Sequence, residues 1–174
     1  PPTFPGLDYA AFCRPARFVG GDYYDFTALP DGTLFFTLGD VSGKGVAAAV
    51  LMASIQAALR TQVVERPASL SALINHFNKA VYSFSNGVKY STLFVGILDV
   101  ANRTLTYVNA GQAPPLLVRA ANYSIEHLTE GGMPVGLMPA GRYTQAVVAL
   151  EPGDLIFAYS DGISEATNIR EEIW

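Results

Sequence analysis

Two stretches of the chain carry the apolar spacing of helices. Over 46–59 nearly every position is Ala, Val, Leu, Met or Ile, interrupted only by Ser54 and Gln56. The run is shorter than the ~20 residues that cross a bilayer, so it reads as a buried helix. Its alanines predict close packing on a neighbouring element. Over 69–84, Leu70, Leu73, Ile74, Phe77, Ala80 and Val81 recur at three- and four-residue steps and define one apolar face. Pro67 separates the two helices.

The remaining pattern is that of strands. Residues 33–40 are rich in Leu and Phe, and Asp31-Gly32 supplies a turn linking them to a strand at 23–27. Strands at 91–100 and 104–109 form a hairpin through Ala101-Asn102-Arg103. Further strands are expected at 116–119, 125–128, 144–150 and 154–160, with Pro152-Gly153 turning into the last. Strands, then two helices, then more strands do not alternate as βαβ units do. That order predicts an α+β fold with helices packed on a largely antiparallel sheet system. No repeat, low-complexity segment or interior linker divides the chain, so residues 1–174 read as a single domain.

Three acidic-glycine sites stand out: Gly20-Gly21-Asp22, the Gly39–Gly45 loop containing Asp40, and Ser160-Asp161-Gly162. Asp40 and Asp161 each close an apolar strand, which would deliver the carboxylate to a sheet edge on a rigid support. Hard divalent cations such as Mg²⁺ and Mn²⁺ take oxygen ligands, so three converging aspartates would suit a metal. A single Asp–Gly pair is more simply a turn, and Asp31-Gly32 is read as one. Asp25 competes with Asp22. On an extended segment, residues three apart face opposite sides, so only one can join a common site unless the glycine pair makes a bulge. Periodicity leaves that choice open.

Other chemistry is excluded or weak. The glycine loop has three residues between Gly39 and Gly43, and Gly45 follows Lys44, so it is not a Walker loop. Lys44 reads as a solvated surface lysine. His76 and His127 have no ligand partners at recognisable spacing. No Gly-x-Ser-x-Gly elbow surrounds Ser42 or Ser160.

Composition narrows the partners. Of 174 residues, 11 are Lys or Arg and 15 Asp or Glu, for a net charge of −4 with no basic cluster. Nucleic acid is therefore excluded as a partner. Cys13 is alone and can form no internal disulfide, and no secretion signal opens the sequence. The compartment is read as reducing and cytoplasmic.

The strings FVGGDYYDF (18–26), GDVSGKGVAAAVLMA (39–53), STLFVGILDV (91–100), YVNAGQAPPLL (107–117), GGMPVGL (131–137) and GDLIFAYSDGISEATN (153–168) resemble, in order, the SpoIIE/RsbU family. These are bacterial PP2C-like (PPM) metal-dependent serine/threonine protein phosphatases. The resemblance implies a sandwich of two antiparallel β-sheets flanked by helix layers. It implies Mn²⁺- or Mg²⁺-dependent hydrolysis of phosphoserine or phosphothreonine by a water bridging two ions. The substrate implied is a phosphorylated regulatory protein, of the anti-sigma-factor-antagonist type, in stress or developmental signalling. Matched by position, Asp22 is a ligand of one metal, Asp40 bridges, Val41 lends its backbone carbonyl to the metal of Asp22, and Asp161 holds the other. The resemblance thus selects Asp22 over Asp25.

Three departures accompany the match. Family chains continue past the Ser-Asp-Gly segment to further elements and a late aspartate, so this sequence, ending at Trp174, is expected to lack C-terminal elements. Gln112 stands where the family usually has His. A sensor or receiver domain commonly precedes the phosphatase and is expected upstream of Pro1. The alternative function is a phosphatase-like module that binds a regulatory protein without hydrolysis.

Overall fold

A computed structural model of the chain describes residues 3–14, 20–43, 45–65, 67–85, 87–166, 168 and 170. Lys44 and the Phe18-Val19 start of the first matching string lie outside the described residues. The larger sheet begins with β1 (Tyr23–Ala28) and β2 (Leu34–Val41), paired antiparallel around the expected turn. Asp31 Oδ1 accepts from the Thr33 amide at 3.0 Å and from its hydroxyl at 2.7 Å, which pins that turn. Next come α1 (Val46–Val64) and α2 (Leu70–Ser85), then β3 (Ser91–Asp99) and β4 (Thr104–Ala110). In the β3–β4 turn, Asp99 accepts from the Asn102 amide at 2.9 Å and from its side chain at 2.7 Å.

The chain then leaves for a smaller sheet with β5 (Leu116–Val118) and β6 (Ile125–His127). It returns to the larger one through β7 (Gly131–Gly132) and β8 (Ala146–Ala149), and β9 (Leu155–Phe157) completes the smaller sheet. The orders are β1-β2-β3-β4, with β7 and β8 sharing the outer side of β4, and β6-β5-β9. Among the named strands every pairing is antiparallel except β4 with β7. The two-residue β7 is too short and too glycine-rich to leave a period in the sequence.

Side chains of the larger sheet divide by parity. Tyr23, Phe35, Val41, Leu93, Val95 and Val108 form one core with α1 and α2. Leu34, Phe94, Leu98, Leu105 and Tyr107 face the other way and pack with Leu117 and Leu128 of the smaller-sheet region. β2 is buried on both faces, which explains its unbroken Leu34-Phe35-Phe36 run. Among the described residues the long helices cover only the larger sheet. Leu155, Phe157 and Ile125 of the smaller sheet are exposed.

Several elements differ from the sequence pattern, β8 among them at Ala146–Ala149 instead of 144–150, and three differences have a visible cause. α1 runs on to Val64 because Ile55, Leu59 and Val63 continue one buried stripe at four-residue steps. It is not the wholly buried helix expected: Val46 and Val50 are exposed. By length and composition alone α1 could cross a membrane, with a mean hydropathy of 1.4, yet its inner stripe packs in the helix–sheet core. α2 starts one residue late because Ser69 acts as its cap, its hydroxyl accepting from the Ala72 amide at 3.0 Å. The final strand stops at Phe157, paired with Leu116, instead of reaching 160. Pro114 and Pro115 precede Leu116, and proline has no N–H with which to extend the ladder.

Candidate metal centre

The candidate site is built where β1 and β2 begin and end at one edge of the larger sheet. Asp40 lies within β2, opposite Thr92 of β3 and on the parity that faces the smaller sheet. Asp22 immediately precedes β1 and shares the parity of Phe26, which packs into the same inter-sheet core. Asp161 does not close a strand as expected. It opens α3 (Asp161–Ser164), a single helical turn reached through 158–160 after β9 has ended.

These three carboxylates converge, with one oxygen from each lying within 4.8 Å of the others. Asp22 and Asp40 are partly buried and Asp161 is exposed. Asp25 takes the opposite face and meets Arg60 of α1 at 3.3 Å. Asp31 stays in its turn. The structure therefore separates Asp22 from Asp25 as strand alternation requires.

Gly21 explains the close approach of the two strands. A Cβ there would stand 2.6 Å from the Val41 carbonyl oxygen and 2.7 Å from Asp40 Oδ1. The Val41 amide donates to the Gly21 carbonyl at 3.3 Å. The Val41 side chain is buried in the helix–sheet core, and its carbonyl lies against Gly21, next to Asp22. Spacing alone offered a bulge as the role of the glycine pair; the steric reason is the missing Cβ.

Electrostatics at the site are unfavourable without a cation. Asp40 is pushed up to about 6, first by desolvation and then by Asp22 and Asp161, with a hydrogen bond from the Val41 backbone opposing. Asp22 is also raised, by desolvation and then by Asp161, against a bond from Ser160. That bond is long, with Ser160 Oγ donating to Asp22 Oδ2 at 3.4 Å. Asp22 Oδ1 is buried and has no hydrogen-bond partner. Among the described residues no Lys or Arg forms an ion pair with any of the three. Buried carboxylate oxygen of this kind needs a donor or a cation. An all-oxygen cluster fits Mn²⁺ or Mg²⁺.

Two further residues support the cluster and left little mark in the sequence. Thr92 and Gln112 form a hydrogen bond at 2.6 Å, and Gln112 reaches the Tyr159 carbonyl at 3.1 Å. His76 lines an open hollow near the α1–α2 junction with Gln62 and Glu65. His127 lies on β6.

Two sheets packed face to face, helices on the larger, and acidic residues gathered at one end of the space between them define the PP2C phosphatase fold. The chain belongs to the SpoIIE family: residues 30–174 match Stage II sporulation protein E. It is 28% identical to phosphoserine phosphatase RsbU of Bacillus subtilis, covering 94% of this chain and 48% of that protein. A crystal structure of the RsbU and RsbW domains of Rv1364c from Mycobacterium tuberculosis superposes with a TM-score of 0.71 at 35% identity, over 87% of this chain and 42% of that one. The structure of the PP2C phosphatase domain and a fragment of the regulatory domain of SpoIIE from Bacillus subtilis gives 0.74 at 21% identity, over 86% of this chain and 43% of that one. The chain thus spans less than half the length of each.

Proposed function

We propose that the chain hydrolyses phosphoserine or phosphothreonine on a regulatory protein, with Asp22, Asp40 and Asp161 holding Mn²⁺ or Mg²⁺. The observation that carries this reading is the convergence of three carboxylates around a buried, unpartnered Asp22 oxygen. Membership of the SpoIIE family supports it, as does the likeness to a phosphatase named for phosphoserine.

Each residue has a part that its position suits. Asp40 lies with both Asp22 and Asp161 in one cluster, so its carboxylate would hold a cation together with either of them. The Val41 carbonyl, which lies against Gly21 beside Asp22, would add a neutral oxygen ligand there. Ions bound here would supply charge neutralisation for a phosphate dianion and a lowered pKa for water. Among the described residues no cysteine or serine stands out as a nucleophile. The Cys13 thiol is raised by partial desolvation and then by Asp22, which disfavours the reactive thiolate. Direct hydrolysis without a phosphoenzyme is the consistent route.

The substrate is read as a phosphorylated regulator of sigma-factor control, and a sensor or receiver domain as the upstream partner. Phosphate release from a phosphoserine peptide tests the chemistry. Turnover with Mn²⁺ that EDTA and Asp40→Asn both abolish is expected. Mn²⁺ binding without turnover of any phosphopeptide or phosphoprotein would favour a binding module instead.

A further inference from the structure

Gln112 lies between the two sheets, 7% exposed, with both ends of its amide engaged. The Thr92 hydroxyl donates to Oε1 at 2.6 Å, and Nε2 donates to the Tyr159 carbonyl at 3.1 Å. The partners fix the amide's orientation. A carbonyl only accepts, so the NH₂ end must face Tyr159, leaving Oε1 for the hydroxyl.

Those two partners belong to the two separate segments that carry Asp40 and Asp161. Thr92 is the cross-strand neighbour of Asp40, while Tyr159 is two residues before Asp161. One side chain therefore ties the strand pair that carries Asp40 to the segment that carries Asp161. That segment has no ladder of its own, because β9 stops pairing at Phe157.

The turn presenting Gln112 is itself fixed. Asn109 Oδ1 accepts from the Gln112 amide at 2.8 Å, and Asn109 Nδ2 donates to the Gln112 and Leu128 carbonyls at 3.1 Å each. Gly111 between them has φ 77°, and a Cβ there would stand 2.6 Å from the Pro134 ring. Such a turn favours glycine for both reasons.

We infer, taking the three aspartates as metal ligands, that Gln112 is a positioning residue that holds Asp161 beside Asp40 and Asp22 for the cation. Asp161 is exposed, begins a single helical turn and stands near two other carboxylates. Like charges drive such a group outward unless its backbone is restrained. The Ser160–Asp22 contact, at 3.4 Å, is too long to be the main restraint. The Gln112 amide supplies that restraint through Tyr159.

Three variants test this. Gln112→Leu removes both hydrogen bonds at similar size. Gln112→His keeps one donor and one acceptor on opposite sides of a ring. Gln112→Glu keeps the shape and the Thr92 contact but loses the donor to Tyr159, and replaces the Leu variant if that does not fold. Hydrogen–deuterium exchange of the metal-free protein reads the 159–164 segment, and Mn²⁺ calorimetry reads the site. Exchange in 159–164 should rise in the Leu variant and return towards the parent's in the His variant. Mn²⁺ affinity should fall about 10–100-fold in the Leu variant, the range for losing an outer partner of a ligand, and recover with His. A folded Leu or Glu variant with parental exchange there would overturn the assignment. Equal losses in the Leu and His variants would also overturn it, since they would mark packing alone. If the parent takes up no Mn²⁺, the metal reading falls, and the exchange result still decides whether Gln112 holds the segment.

Discussion

Asp22 and Asp25 stand three residues apart and serve opposite faces of the same sheet. Asp22 joins Asp40 and Asp161 in the inter-sheet cluster, whereas Asp25 meets Arg60 of α1 at 3.3 Å. The two acidic residues should therefore respond differently to the same substitution. Asp25→Asn loses a pair whose arginine is 53% exposed but whose carboxylate is only 12% exposed, so its cost should be modest, about 1 kcal/mol in urea unfolding. Its Mn²⁺ affinity should match the parent's. A large loss of Mn²⁺ binding in folded Asp25→Asn would place the ligand on the wrong face.

Asp40→Asn should separate stability from binding. The substitution removes one of three mutually repelling charges, so the metal-free protein should melt at least as high as the parent. About 1 kcal/mol of relief would appear as roughly 2–4 °C for a domain of this size. Mn²⁺ affinity should drop by more than the about 10–100-fold that losing an outer partner costs. Calorimetry and thermal melting in EDTA measure the two effects. A metal-free variant melting well below the parent would mean that Asp40 stabilises the fold by itself.

The raised Asp40 carboxyl gives a signed pH dependence. Its value moves from the ordinary 3.8 to about 6. A group whose folded value is the higher favours the folded chain while protonated. That contribution is whole below about pH 4 and is lost as the pH climbs through 6. Asp154, Glu126 and Asp99 are lowered and act in the opposite sense, but below their ordinary values. In EDTA, the parent should therefore lose stability relative to Asp40→Asn between pH 4 and 7. With Mn²⁺, which competes with the proton, the stabilisation over EDTA should grow across the same window. Metal stabilisation that weakened from pH 5 to 7 would contradict the assignment.

Gly21→Ala should damage both fold and site. The added methyl meets the Val41 carbonyl oxygen and Asp40 Oδ1 at 2.6 and 2.7 Å, and the first of these is backbone that cannot swing away. Overpacking of this kind costs about 1–3 kcal/mol. Urea unfolding should show that loss, and calorimetry weaker Mn²⁺ binding. Unchanged values for both would mean that the strands do not need the gap.

Much of this architecture was legible because single residues announced it. The Asp31-Gly32 turn, the 101–103 turn and the three-and-four spacing of α2 each have a local cause, and the structure keeps all three. What the sequence hid depends on distant partners. The end of β9 is set by Pro114 and Pro115, some 40 residues earlier by the numbering. The choice between Asp22 and Asp25 was beyond periodicity, which gives alternation without saying which face is the cleft. Gln112 drew notice only as a departure from a pattern, and its two partners lie on other strands and loops. Thr92 carried no signal, since a threonine in a strand is ordinary.

A crystal grown with Mn²⁺, with data collected at the manganese edge, tests the central claim most directly. The account predicts anomalous density among the carboxylates of Asp22, Asp40 and Asp161, within coordination distance of the orphaned Asp22 Oδ1 and the Asp40 side chain. Manganese held elsewhere on the molecule, with none between these three aspartates at saturating concentration, would contradict it.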